Sequence, residues 1–129
     1  MKHCVALIFV ITLAIVAGRP QEKYPTRFDN FDVDRVLKTD RLFRNYFNCL
    51  MDKGKCTPEG KELKKLLPDA LRTNCDKCTE RQRDGTDRVL RFIVQNKKEE
   101  WEELKQKYDP EDLYIRKYRE AALARGITI

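Results

Sequence analysis

Long apolar runs are scarce in this chain of 129 residues. The longest uncharged and largely apolar stretch runs from Cys4 to Ala17, directly after the basic residues Lys2 and His3. As a helix it spans about 21 Å, which is too short for the ~30 Å hydrocarbon core of a bilayer. The pattern is typical of a secretory signal peptide cleaved after Gly18. We therefore predict a signal peptide at 1–18, a single mature domain at 19–129, a secreted, extracellular protein and no stable membrane insertion.

Histidine is almost missing. The single histidine, His3, leaves with the predicted signal peptide, so the mature chain has none. Histidine is the usual acid, base and soft metal ligand near neutral pH. The chain also lacks a recognisable nucleophile motif or phosphate-binding loop. We predict that the protein is not an enzyme and has no cofactor and no metal site.

No block of a single charge sign stands out. The chain has 27 Lys and Arg against 21 Asp and Glu, and loss of Lys2 leaves the mature part at a net charge of +5. The two signs alternate along stretches such as 97–105, as on solvated helix faces. Nucleic-acid binding requires a clustered basic face. The sequence therefore predicts no nucleic-acid partner.

A helical pattern runs through almost the whole mature chain, after an extended lead-in at 19–31. Apolar residues recur at steps of three and four, as in Leu42, Phe43, Tyr46, Phe47 and Leu50, so they share one helix face. Strand-like alternation is not evident, and glycine and proline number only five each. We predict an all-α fold of about six helices.

Helix starts are marked by side chains that can accept hydrogen bonds from free backbone N–H groups. Asp32 and Asp40 are predicted to cap the first two helices. Thr57 precedes Pro58 and Glu59, which suit the first turn because proline needs no N–H there and glutamate favours the positive end of the dipole. The same cap–proline–acid order at 109–111 predicts the start of the last helix.

Helix ends are predicted from proline and glycine. Pro68 should end or kink the third helix. The fourth helix is expected over about 76–96, with Gly85 weakening its middle. Gly126 can close the last helix, because glycine readily adopts the left-handed conformation of a C-terminal cap.

Four cysteines remain after cleavage: Cys49, Cys56, Cys75 and Cys78. An even number in an exported chain indicates disulfides, with three possible pairings. Four thiolates could also hold a structural zinc ion, and Cys-x2-Cys occurs in thiol–disulfide enzymes, but an oxidising compartment and the missing βαβ pattern disfavour both. Pairing of neighbours is the most economical and would close rings worth about 2.5 and about 2 kcal/mol.

The sequence around these cysteines resembles the insect chemosensory proteins, the OS-D-like, four-cysteine helical carriers of the pheromone-binding type. The resemblance rests on cysteine spacings of x6, x18 and x2 and on the flanking segments Tyr46–Leu50, Gly54–Gly60, Leu67–Leu71, Cys75–Glu80 with Gln82, and Lys107–Pro110. It implies a prism of six helices around an apolar channel and disulfides between neighbouring cysteines. It also implies binding of long-chain alcohols, esters, fatty acids or pheromone-like molecules.

On this sequence six residues fall where the channel-lining residues of the family lie: Tyr46, Leu63, Gln82, Val89, Trp101 and Tyr118. Each could instead be an ordinary core residue, since apolar stripes on small helices usually pack against neighbours. Phe28 departs from the family, in which an aromatic near the channel mouth is often tyrosine, so a hydroxyl for a polar ligand head is missing there.

The leading functional hypothesis is a secreted carrier of small hydrophobic ligands with a long alkyl chain. Chemosensory transport is a candidate role for such a carrier, and we expect the protein to be a monomer. A flexible alkyl tail can reach micromolar affinity with few hydrogen bonds, and selectivity between chain lengths should be modest. The alternative is a secreted helical signalling or protein-interaction module in which the inward aromatics form a solid core. The sequence names neither the ligand nor a receptor.

Overall fold

The computed structural model describes residues 22–129, and the predicted signal peptide lies outside them. The described residues form six helices and no strand. The helices are α1 (Val33–Lys38), α2 (Asp40–Leu50), α3 (Pro58–Arg72), α4 (Glu80–Asn96), α5 (Lys98–Tyr108) and α6 (Leu113–Ala124). The predicted all-α class is confirmed.

The first two helices are separated by one residue. Asp32 caps α1 as predicted, because its carboxylate accepts from the Arg35 N–H at 3.1 Å. The predicted cap at Asp40 is wrong. Thr39 both closes α1 through its backbone N–H and precedes α2, so Asp40 is already helical. The Asp40 carboxylate instead accepts from Lys97 Nζ at 3.0 Å, and this bond lowers the pKa of Asp40.

Helix α3 begins as predicted, with the Thr57 hydroxyl oxygen accepting from the Gly60 N–H at 3.1 Å. Of the two outcomes predicted for Pro68, the end of the helix is wrong, because α3 continues to Arg72, while a kink stays a prediction. Pro68 is exposed, so water can bond the carbonyl that its missing N–H leaves free. Gly60 is buried, and a Cβ on it would lie only 3.2 Å from Cys49 Sγ and 3.3 Å from Tyr46 Cδ1. The missing side chain therefore lets α3 approach α2.

Helix α4 starts four residues later than predicted. Asn74 and Cys75 take left-handed backbone conformations, with φ of 54° and 61°, and open a turn that continues to residue 77. Thr79 is then extended (φ −70°, ψ 165°), so a continuous helix cannot begin before Glu80. A capping box then opens the helix: Gln82 N–H donates to the Thr79 hydroxyl (3.1 Å), and Thr79 N–H donates to Gln82 Oε1 (3.0 Å).

The last helix also starts later than predicted, at Leu113, after a turn in which Asp112 is left-handed. Asp109 still caps it from a distance. Its buried carboxylate accepts from the backbone N–H groups of Tyr114 (3.1 Å) and Ile115 (2.9 Å). Gly126, at φ 80°, closes α6 as predicted.

The two disulfides join neighbouring cysteines. Cys49–Cys56 links the end of α2 to the loop before α3, and Cys75–Cys78 lies in the loop between α3 and α4. The economical pairing is confirmed. Because each ring is short, neither disulfide fixes one helix against a distant one.

The packed core is small. Its largest part consists of Phe43, Phe47 and Ile93, and Trp101 and Leu104 pack against it. We call these three residues the aromatic cluster, after its two phenylalanines. A second group joins Tyr24 to the Cys75–Cys78 disulfide. Within residues 22–129, no helix has the length and apolar character needed to cross a bilayer. In the same range, no cluster of three or more His, Cys, Asp or Glu side chains is arranged to hold a metal ion.

Candidate functional site

An apolar cavity of about 430 Å³ lies between the helices. This is far more than the ~10–15 Å³ needed by one water molecule, and it falls in the ~300–1,000 Å³ range of small-molecule sites. All six helices and the lead-in contribute to its wall. The inward helix faces therefore enclose space over much of their length instead of meeting in a solid core.

The structure places all six predicted residues on the wall of this cavity. Tyr46 comes from α2, Leu63 from α3, Gln82 and Val89 from α4, Trp101 from α5, and Tyr118 from α6. Their contact with a ligand stays a prediction. Leu63 is 46% exposed although it lines the cavity, which indicates that the cavity reaches the surface beside it.

Trp101 packs against the aromatic cluster and also faces the cavity. The Lys105 ammonium lies 5.8 Å from the centre of its ring, a distance at which a cation is attracted to the ring face. Its indole N–H donates to no residue in 22–129, unlike the hydroxyls of three wall tyrosines. Trp101 thus offers an apolar face and a free donor.

Tyr118 is buried and its hydroxyl donates to the buried Asp87. Arg125 Nη2 donates to the same carboxylate oxygen at 2.7 Å, which compensates the buried charge. Burial, followed by the bond to Asp87, raises the pKa of Tyr118. The phenol therefore stays neutral, and its O–H bonds to Asp87 and is not free to bond to a ligand. Sequence reasoning missed Asp87 and Arg125, because no local pattern links positions so far apart in the chain.

Gln82 lines the cavity, but both its amide oxygen and its amide nitrogen already bond to the protein. Oε1 accepts from the Thr79 N–H, while Nε2 donates to the Pro25 carbonyl and to Asp29 Oδ1, both at 2.9 Å. The Thr79 hydroxyl also donates to Asp29, at 3.1 Å. Gln82 therefore fastens the lead-in to the start of α4, which its sequence position alone did not indicate.

The lead-in, defined here as residues 22–31, forms part of the wall through Tyr24, Pro25, Phe28, Asp29 and Phe31. Tyr24 is buried, donates its hydroxyl to Asp69 Oδ2 at 2.6 Å and its N–H to the Lys77 carbonyl at 2.8 Å. Burial and the bond to Asp69 raise the pKa of Tyr24 to about 12. Phe28 has no hydroxyl to offer here, and the Arg27 guanidinium lies 5.2 Å from its ring centre.

The fold and the cavity define a class of protein: a small all-helical chain, braced by two short disulfide rings, that encloses an apolar cavity. Comparison with known sequences agrees. The chain belongs to the insect pheromone-binding family, A10/OS-D, whose sequence profile matches residues 24–116. The predicted family resemblance is confirmed.

Individual relatives are similar over most of the chain. Ejaculatory bulb-specific protein 3 of Drosophila melanogaster is 57% identical over 129 residues and is covered completely, as is this chain. The structure of a chemosensory protein in complex with bromo-dodecanol is 46% identical, with a TM-score of 0.72 over 78% of this chain and 100% of that one. Antennal chemosensory protein A6 from the moth Mamestra brassicae is also 46% identical, with a TM-score of 0.64 over 82% of this chain and 98% of its own.

Proposed function

We propose that the protein is a soluble carrier that holds a long-chain apolar ligand, such as a fatty alcohol, ester or acid, in the internal cavity. The observation that carries the proposal is the 430 Å³ cavity with its largely aliphatic and aromatic wall. A related chain of the same fold is known in complex with bromo-dodecanol, a long-chain alcohol. This supports the same ligand class here.

The energetics favour a flexible alkyl chain. Each buried methylene contributes roughly 0.8 kcal/mol, so a C12 tail gains about 10 kcal/mol before its ordering and the loss of free motion are subtracted. A micromolar complex needs about 8 kcal/mol. Few polar contacts are then required, which agrees with a wall whose tyrosine hydroxyls at 24, 108 and 118 already bond to the protein.

The cavity also separates the carrier from a helical interaction module with a solid core. A packed interior would leave no room for a chain-like ligand.

The absence of catalytic activity and delivery to the outside of the cell are parts of the same proposal. The basic start, apolar run and small residues of 1–18 support export. The mass of the protein recovered from an insect-cell medium would show whether the chain begins at Arg19.

The direct test is a titration of the oxidised protein with the apolar fluorescent probe N-phenyl-1-naphthylamine, followed by competition with C12–C18 alcohols. We expect saturable binding at one site, quenching of the Trp101 emission and displacement by the alcohols. Failure to bind any of these compounds, with native helical circular dichroism, would contradict the carrier function and favour a protein partner.

Replacement of Trp101 by alanine tests the site itself. The change removes apolar wall and the free indole N–H, so long-chain affinity should fall by more than about tenfold, or ~1.4 kcal/mol, with helicity retained. Trp101→Phe is the matched control and should keep most of the affinity. Unchanged affinity in the folded alanine variant would remove Trp101 from the binding site.

A further inference from the structure

An open hollow on the surface adjoins the cavity. It is lined by Arg27, Phe28, Pro58, Lys61, Glu62 and Lys65. Phe28 and Glu62 also line the cavity, so these two residues form the partition between the two spaces.

The hollow carries excess positive charge. Arg27 Nη2 lies 2.9 Å from Glu62 Oε2, so the charges of these two residues of the hollow compensate each other. The Arg27 side chain is 64% exposed and that of Glu62 only 17%. Lys61 and Lys65 form no ion pair with any residue in 22–129, whereas Lys64 between them pairs with Asp52. Two unpaired ammonium groups thus remain beside the partition.

The placement of the two lysines favours an anion between them. Lys61 and Lys65 are four residues apart on α3, so they project from the same face of the helix. Like charges at this spacing repel each other and destabilise a helix slightly. A single negative group placed between them removes this repulsion and gains two charge-assisted hydrogen bonds. Glu62, the one acid among the residues that line the hollow, is already paired with Arg27.

The cavity wall is poorly suited to the same group. A carboxylate drawn fully inside would lose its water, and the wall already includes four carboxylates, those of Asp29, Glu59, Glu62 and Asp109. Against these acids the cavity wall has two cationic residues, Arg81 and Lys105, and Lys105 already pairs with Glu102 at 3.3 Å and Asp112 at 3.5 Å. In the hollow, three cationic residues stand against a single acid, Glu62. An ionised head group is therefore stabilised better in the hollow than in the cavity.

Resting on the carrier function proposed above, we propose that the hollow is the head-group subsite for long-chain carboxylates. The alkyl tail fills the cavity, the chain passes Phe28, and the carboxylate binds between Lys61 and Lys65 with Arg27 beside it. The subsite makes the protein prefer an ionised fatty acid to the alcohol of equal length. Phe28, which lacks a hydroxyl, forms the apolar passage between tail and head.

The test compares tetradecanoate with tetradecanol at pH 7.5 in a displacement assay with N-phenyl-1-naphthylamine. Two variants are measured beside the unmodified protein. Lys61→Gln/Lys65→Gln removes both ammonium groups of the hollow. Lys98→Gln/Lys117→Gln makes the same change in net charge at two exposed lysines that line neither space.

We expect the hollow variant to bind tetradecanoate at least about fivefold more weakly, as two exposed ion pairs allow, and tetradecanol equally well. The control variant should bind both as the unmodified protein does. Salt should weaken tetradecanoate binding only where the lysines remain.

Equal loss of tetradecanoate binding in both variants, or no loss in the hollow variant, would overturn the subsite. If the unmodified protein bound tetradecanol but not tetradecanoate, the subsite alone would fail. Binding of neither would refute the carrier function itself.

Discussion

Two parts of the cavity wall are held in different ways. On one part the aromatic cluster packs by direct contact, with Phe43 and Phe47 stacked at 6.3 Å and Phe92 edge-on to Phe43 at 5.9 Å. The other part is the lead-in, which has a turn at 27–30 but no helix and is fastened by hydrogen bonds to α3, α4 and the loop between them. The first part depends on buried apolar area, while the second depends on a few polar bonds. Single polar substitutions should therefore loosen the lead-in and leave the aromatic cluster intact.

The largest effect is expected at the packed part. Phe47 is 5% exposed, and Phe47→Ala removes most of a ring from both the stacked pair and the cavity wall. We expect the free energy of unfolding to fall by about 3 kcal/mol, the lower end for buried aromatics because one side already faces open space. Urea denaturation followed by circular dichroism measures the change.

The matched control for this prediction is Leu123→Ala, at a side chain that is 62% exposed. Its effect should stay within about 0.5 kcal/mol. A loss below about 1 kcal/mol for Phe47→Ala would show that the ring contributes to the cavity surface and little to the stability.

A smaller effect is expected at the lead-in. Gln82→Leu keeps a similar volume but removes the bonds to Pro25, Asp29 and the Thr79 N–H. Stability should fall by about 1–2 kcal/mol, because the partners of the lost amide can reach water when the lead-in opens. Amide hydrogen exchange should speed up in 22–31 but not in α2. Gln95→Leu, at an exposed residue of the same helix, is the control. Equal exchange in 22–31 would contradict the fastening role.

The smallest effect concerns the bond between Tyr24 and Asp69. The folded pKa of Tyr24, about 12, lies above its ordinary value of 10.0, because the phenol is buried and donates to Asp69. Its contribution to stability is therefore complete below pH 10 and is lost as the pH rises through about 12. The same bond lowers the pKa of Asp69, so its contribution is present above about pH 4 and is lost as the pH falls through the lowered value.

The pH dependence that is due to Tyr24 is isolated by comparing the unmodified protein with a variant that lacks the hydroxyl. The unfolding free energy of the unmodified protein minus that of Tyr24→Phe should be flat near neutral pH and decrease at both extremes. Tyr108 and Tyr118 titrate in both proteins, so their contributions cancel. A difference that does not change between pH 8 and pH 12 would show that the bond to Asp69 is not formed in solution.

Local features of the chain were predicted well where one short segment contains both the cause and the effect. The caps at Asp32 and Thr57 and the left-handed Gly126 each depend on neighbours within a few residues. The wrong predictions involve competition between segments. Thr39 serves two helices at once, which displaces Asp40, and the turn around the Cys75–Cys78 disulfide delays α4. Asp109 caps α6 across a turn of intervening residues that local pattern rules do not describe.

The sequence by itself determined the helical class and which apolar residues share a helix face, and its resemblance to a family predicted six residues that line the cavity. Periodicity can do this because it reports the geometry of one helix at a time. Only the tertiary structure decided that these faces enclose a cavity, since that depends on the distances between helices. It also decided the partners of the polar wall residues. Gln82 bonds to the lead-in 53 and 57 residues away, and Tyr118 bonds to Asp87, 31 residues earlier. Such pairs form because buried polar groups require partners, and the fold alone determines which partners lie within reach.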